Sequence, residues 1–89
     1  MNDTRFQLVL DDIDAAILDR NLNRIKASNA AADGARTKLV DIADEGPGPT
    51  LMAFINVAID HLNKAIEFPA CSSYLVLARA AVDCASEVA

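Results

Sequence analysis

The sequence predicts an all-α protein, a small bundle of about four helices. Three observations carry that prediction. Alanine, the strongest helix former, occurs seventeen times in 89 residues. The β-branched and aromatic residues that strands favour are scattered, with no Trp, one Tyr and three Phe. Two of the three glycines and two of the three prolines fall in one central stretch, Asp44-Glu45-Gly46-Pro47-Gly48-Pro49-Thr50, so helix-breaking residues are sparse on either side of it. A chain of this length is a single domain, residues 1–89. It hides only about 60–65% of its unfolded surface, so completion of the bundle by dimerisation is expected.

The first helix is expected to begin at Thr4, where Thr4-Arg5-Phe6-Gln7 fits a capping box; Asp3 suits the positive end of its dipole. Phe6, Val9, Leu10, Ile13, Ala16 and Ile17 then share one stripe at helical spacing. A second stripe, Leu18, Leu22, Ile25, Asn29, Ala32, Arg36, Leu39 and Ala43, lies about 100° away from the first. Either one long helix shows two faces, or the chain breaks near Asp19-Arg20-Asn21, with Asp19 or Asn21 capping a second helix. The turn-forming asparagines Asn21 and Asn23 favour the break. Small residues recur at Ala27, Ala31 and Ala35, and at Ala30 and Gly34. They allow close helix packing, serve as helix-forming filler, or admit a further break at Asp33-Gly34.

In the central stretch Gly46 suits the residue after a helix end, where a left-handed backbone is needed. Pro47 cannot continue the helix, and Thr50 can cap the next. This GPGP turn divides two halves. Residues 1–45 form an acidic helical half with nine acids and six bases; residues 46–89 carry four acids and two bases. The apolar helical hairpin, residues 50–89, holds a third helix from Leu51 to Glu67 or Phe68, ended by Phe68-Pro69, and a fourth capped by Ser72 or Ser73. The third has a polar stripe of Asn56, Asp60, Asn63, Lys64 and Glu67; the fourth has only Arg79, Asp83 and Glu87. Each is apolar around more than half its circumference, where an ordinary surface helix is apolar over little more than 100°. Such helices need cover on more than one side, and bare apolar patches mark partner sites. Phe54, Val57, Leu77, Ala81 and Cys84 are the expected self-association residues.

The net charge of −5 and pI of about 4.5 argue against direct nucleic-acid binding, which draws on clustered Lys and Arg, and against an anionic membrane surface. The N-terminal Met1 to Gln7 stretch lacks signal-peptide features. The longest uncharged stretch, residues 46–59, is too short to cross a bilayer. A cytoplasmic location is expected. Cys71 and Cys84, if on one helix, lie about 20 Å apart, beyond disulfide reach, and are expected as buried, reduced thiols.

No arrangement of catalytic residues stands out, and an enzyme is not expected. There is one His, no Cys-x-x-Cys and no glycine-rich phosphate loop. No cofactor is expected. Asp11, Asp12 and Asp14 come closest to a metal cluster but read as a solvated acidic face.

His61-Leu62-Asn63-Lys64-Ala65 resembles the phosphorylated helix of histidine phosphotransfer domains, which are also helical bundles. Lys64 stands at the family's offset from the histidine and Ala65 replaces the usual Gly; the family's Leu two residues after the histidine is absent. The resemblance implies a phosphoacceptor role for His61, set against a boundary histidine with one wet edge. A further alternative is acidic mimicry of nucleic acid. There Asp11, Asp12 and Asp19 form a partner-binding face, with Asp41, Asp44 and Glu45 beyond, that blocks a basic groove on a DNA-binding protein. The leading reading is a small interaction module, an adaptor or inhibitor of a larger protein that works as a homodimer.

Overall fold

A computed structural model describes residues 4–89. Four helices follow in order: α1 Thr4–Asn21, α2 Ile25–Asp44, α3 Pro49–Glu67 and α4 Ser73–Val88. No strand occurs among the described residues. The linking turns are short, so successive helices run antiparallel. α1 packs on α2 and α4, and α3 on α2 and α4. The result is a rod of 37 × 20 × 18 Å, matching helices of about 24–30 Å.

The first stripe lies inside as expected. Phe6, Val9, Leu10, Ile13 and Ala16 are buried, and Ile17 packs against them. The chain does break after Asn21. Asn23 adopts a positive φ of 59°, a left-handed conformation that asparagine tolerates. Neither Asp19 nor Asn21 caps α2: Asn21 is the last residue of α1, and Arg24 precedes α2 without a side-chain cap. This restart sets a new helical phase. Ser28, Ala32, Ala35, Leu39 and Ile42 face inward, whereas Leu18 and Leu22 of the expected second stripe are 58% and 53% exposed. Arg36 and Asn29 sit on the flank.

α2 runs unbroken through Gly34. A Cβ built there would lie 3.4 Å from the Asp12 side chain, an ordinary contact. Of the small-residue series, Ala35 is buried and Ala31 packs against the core, but Ala27 and Ala30 are exposed. Gly46 follows the end of α2 with φ +72°, and its N–H donates to the Ala43 carbonyl at 3.1 Å. α3 begins earlier than expected. Gly48 stands at its N-cap and Pro49 at the first helical position, where a missing N–H costs nothing and φ is already set. Thr50 is therefore inside the helix and does not cap it.

Gln7 also departs from expectation: its Nε2 donates forward to Asp11 Oδ1 at 3.0 Å, away from the helix start. Asp3 lies outside the described residues. Ser72 occupies the N-cap of α4 but makes no side-chain cap hydrogen bond. Both cysteines are exposed free thiols, not buried ones, and Cys71 belongs to the turn before α4.

α3 contributes Ile55, Ala58, Leu62 and Ala65 to the core, and α4 contributes Leu75, Ala78, Ala81, Val82 and Ala85. The abundance of buried alanine brings the helix axes close. One end of this core is polar. Arg20, only 8% exposed, donates from Nε to Ser28 Oγ at 3.1 Å, from Nη2 to Asn29 Oδ1 at 2.9 Å, and from Nη1 to the carbonyls of Pro69 at 3.0 Å and Ala65 at 3.4 Å. Ser28 Oγ donates onward to the Ala16 carbonyl at 2.7 Å. Ala65 belongs to the last turn of α3; its carbonyl lacks a helical partner because residue 69 is a proline, and the turn carries the negative end of the dipole. Desolvation by burial lowers the Arg20 pKa, but a guanidinium keeps its charge in proteins.

Arg20→Ala strands these acceptors and is expected to cost about 3 kcal/mol, read from the urea midpoint at unchanged m-value. Gly34→Ala is expected to stabilise by about 0.5–1 kcal/mol, since it improves helix propensity without a clash. Gly46→Ala is expected to destabilise by about 1 kcal/mol, through its left-handed backbone. Opposite signs in one denaturation series are the check.

Candidate functional site

Four seams run along the outside of the bundle, and three are closed by polar pairs. Across α1–α2, Arg5 pairs with Glu45 and Lys38 with Asp12. Across α1–α4, Arg79 Nε donates to Asp14 Oδ1 at 2.7 Å. Across α2–α3, Arg36 Nη1 donates to Asn63 Oδ1 at 2.8 Å, while Asp33 pairs with the same guanidinium. The Arg79 pKa is raised, first by its hydrogen bond with Asp14 and then by the charge of that carboxylate.

The α3–α4 seam differs. Among the described residues no ion pair crosses it. Tyr74 lies between His61 and Phe68, with ring centroids 6.4 Å and 6.2 Å away. Helical spacing puts Phe54, Val57, His61 and Phe68 on the flank of α3 that meets Tyr74. The same spacing puts Leu77 and Cys84 on the matching flank of α4. Val57 and Leu77 are each 46% exposed and Phe68 is 49% exposed. Val76, at 57%, carries the apolar surface around the outer face of α4. From Phe68 to Val82 the only charged residue is Arg79, and Asp14 engages it.

Of the expected self-association residues, Val57, Leu77 and Cys84 are exposed on this side and Phe54 is half-buried. Ala81 is 8% exposed and belongs to the core: it lies about 40° from both Leu77 and Ala85 at 100° per residue, on the edge of the buried stripe. Phe68 and Val76 were missed. Their signal is the scarcity of charge after Glu67; Phe68 reads from the sequence both as the helix terminator and as a neighbour of His61 on the border of the apolar face, and neither residue is among the expected self-association set.

The acidic residues are partly neutralised. Asp12 meets Lys38, Asp19 lies 3.9 Å from Arg24, and Asp11 accepts from Gln7. Asp14 turns to Arg79 instead of joining Asp11, and no group of three or more His, Cys, Asp or Glu suited to a metal occurs among the described residues. A recess of about 130 Å³ between α1 and α2 is lined by Arg5, Leu8, Lys38, Asp41 and Ile42; both its cations face carboxylates. His61 is half-buried, and its Nδ1 is buried without a hydrogen-bond partner. Lys64 pairs with Asp60 at 3.2 Å. No helix is long and apolar enough to cross a membrane, among the described residues.

Comparisons with protein-family models, with curated proteins and with solved structures returned no match.

A buried nitrogen without a partner is a cost that a carbon ring avoids. His61→Phe keeps a ring against Tyr74 and is expected to raise stability by about 1 kcal/mol, seen as a higher urea midpoint; a lower midpoint would mean that Nδ1 has a partner in solution.

Proposed function

We propose that this chain is a protein–protein interaction module, a cytoplasmic adaptor or inhibitor of a larger protein, and that it works as a homodimer joined through its α3–α4 side. One observation supports the reading above others: the uneven closure of the seams. Arg and Lys side chains, with their carboxylate or amide partners, cross three of them. The fourth presents Val57, Phe68 and Leu77 at about half exposure, continuous with Val76. Contiguous apolar surface of this kind is uncommon on small monomers unless something binds it. The side is also the best place for two copies of a chain of net charge −5 to approach, because little charge has to be desolvated or opposed there.

The acidic half then faces the larger protein. Asp11, Asp41 and Asp44 remain exposed, and contacts through them weaken as salt screens them.

Sedimentation velocity at micromolar concentration is expected to show twice the protomer mass. Leu77→Glu, on a half-exposed position, is expected to return the protein to the protomer mass with its helical circular dichroism intact. A wild-type chain that sediments as a protomer throughout the micromolar range removes the homodimer from this reading.

A further inference from the structure

The outer face of α4 has an order of its own. Ser73, Ala80 and Glu87 recur every seven residues, with Val76 and Asp83 three residues after the first two and Leu77 and Cys84 four after. All seven are exposed. They make a second stripe opposite the buried one of Leu75, Ala78, Val82 and Ala85. The stripe is uncharged in its first half and acidic in its second. Ala80, at its midpoint, is the smallest side chain that still favours a helix.

We infer that a second copy of this chain occupies the stripe, with the two α4 helices antiparallel and crossing at Ala80 about a two-fold axis. The inference rests on the homodimer reading above and says where its axis lies. The charges choose the direction. A parallel pair would set Asp83 against Asp83 and Glu87 against Glu87, and like charges in register oppose association. An antiparallel pair sets residues equally far before and after Ala80 against one another. Glu87 then lies beside the partner copy's Ser73, about 10 Å from the crossing at 1.5 Å per residue.

Ser73 opens a helix with no side-chain cap and no acidic residue in its first turn. Its amide N–H groups form the positive end of the α4 dipole, where a carboxylate is stabilising. The chain does not supply that carboxylate itself, and the two-fold supplies it twice. On one flank the same operation brings Leu77, three residues before the crossing, next to Cys84 of the other copy, four after it, so each half-exposed leucine gains an apolar neighbour; on the other flank it brings Val76 next to Asp83. Ala80 against Ala80 lets the axes approach closely. This is the isologous closure expected of a two-fold dimer.

Engineered cross-linking tests the crossing. In a Cys71→Ser, Cys84→Ser background, Ala80→Cys under mild oxidation is expected to give an interchain disulfide, since the paired Cα atoms fall within about 7 Å. Val57→Cys in the same background is expected to remain unlinked. Glu87→Lys is expected to weaken the dimer about threefold or more, by reversing a helix-terminal charge. Ala80→Arg, at an exposed position, is expected to give a folded protomer, checked by circular dichroism and sedimentation.

The outcomes separate. A wild-type dimer in which Ala80→Cys stays unlinked, Val57→Cys links, or Ala80→Arg still dimerises overturns the α4 crossing and leaves the homodimer standing. A wild-type protomer overturns both.

Discussion

A single buried cation sets how the two halves of this protein meet. Arg20 leaves α1 at the closed end of the first hairpin and reaches Ser28 and Asn29 of α2 and the carbonyls of Ala65 and Pro69 in the second hairpin. It has no carboxylate among these partners. What offsets the desolvation is a set of neutral oxygens and the negative end of the α3 dipole. The geometry explains why arginine occupies this position: its planar fork offers several donors at fixed angles, where a lysine offers a compact point charge. Removing the cation leaves oxygens on three parts of the chain without a donor.

That constraint matters because the rest of the core has little directional content. Alanines from all four helices, together with Ile13, Leu39, Ile55, Leu62 and Leu75, fill the interior. Cores of this kind tolerate exchange and sliding as long as volume is kept. A guanidinium whose oxygens lie on α2, α3 and the α3–α4 turn does not tolerate a shift of one helical turn, about 5 Å. Hydrophobic burial drives the helices together, and Arg20 with Ser28 selects one register among those that burial alone would allow. The surface ion pairs follow from that register. Each contributes little, in the range of about 0–1 kcal/mol. Arg5 and Lys38 also line the recess that holds Leu8 and Ile42, where their methylene stems can shield apolar surface. Among the described residues no ion pair crosses the α3–α4 seam, and Val57, Phe68 and Leu77 stand about half exposed beside it.

Much of the local structure was legible in residues 4–89. Propensity and periodicity located the helices. The α1 stripe from Phe6 to Ala16 was right because all its members lie on one uninterrupted helix. Gly46 and Pro69 marked boundaries through backbone geometry that acts within one or two residues. The errors share a different origin. The expected second stripe, Leu18 to Ala43, carries one phase through the turn at Leu22 to Arg24; the chain does not keep that phase, so Leu18 faces out while Ser28 and Ile42 face in. Threonine favours the cap position, but Pro49 at the first helical residue starts α3 one residue before Thr50. Ala81 and Leu77 share a flank by spacing, but packing covers the first and leaves the second 46% exposed. The role of Arg20 is not legible locally, since an arginine in a loop-forming stretch is ordinarily solvated and nothing nearby in sequence announces the carbonyls of Ala65 and Pro69.

The sequence by itself therefore determined the all-helical class, the helices and most of their boundaries, and an acidic half joined to an apolar half. These depend on forces that act within a turn of helix: propensity, proline and glycine geometry, and the spacing of apolar residues. Only the tertiary structure decided which flank of each helix turns inward, which acids find cations, and which seam is left uncovered. Those outcomes depend on the phase of one helix relative to another across a turn and on partners tens of residues away. Local patterns carry no information about either until the chain is packed.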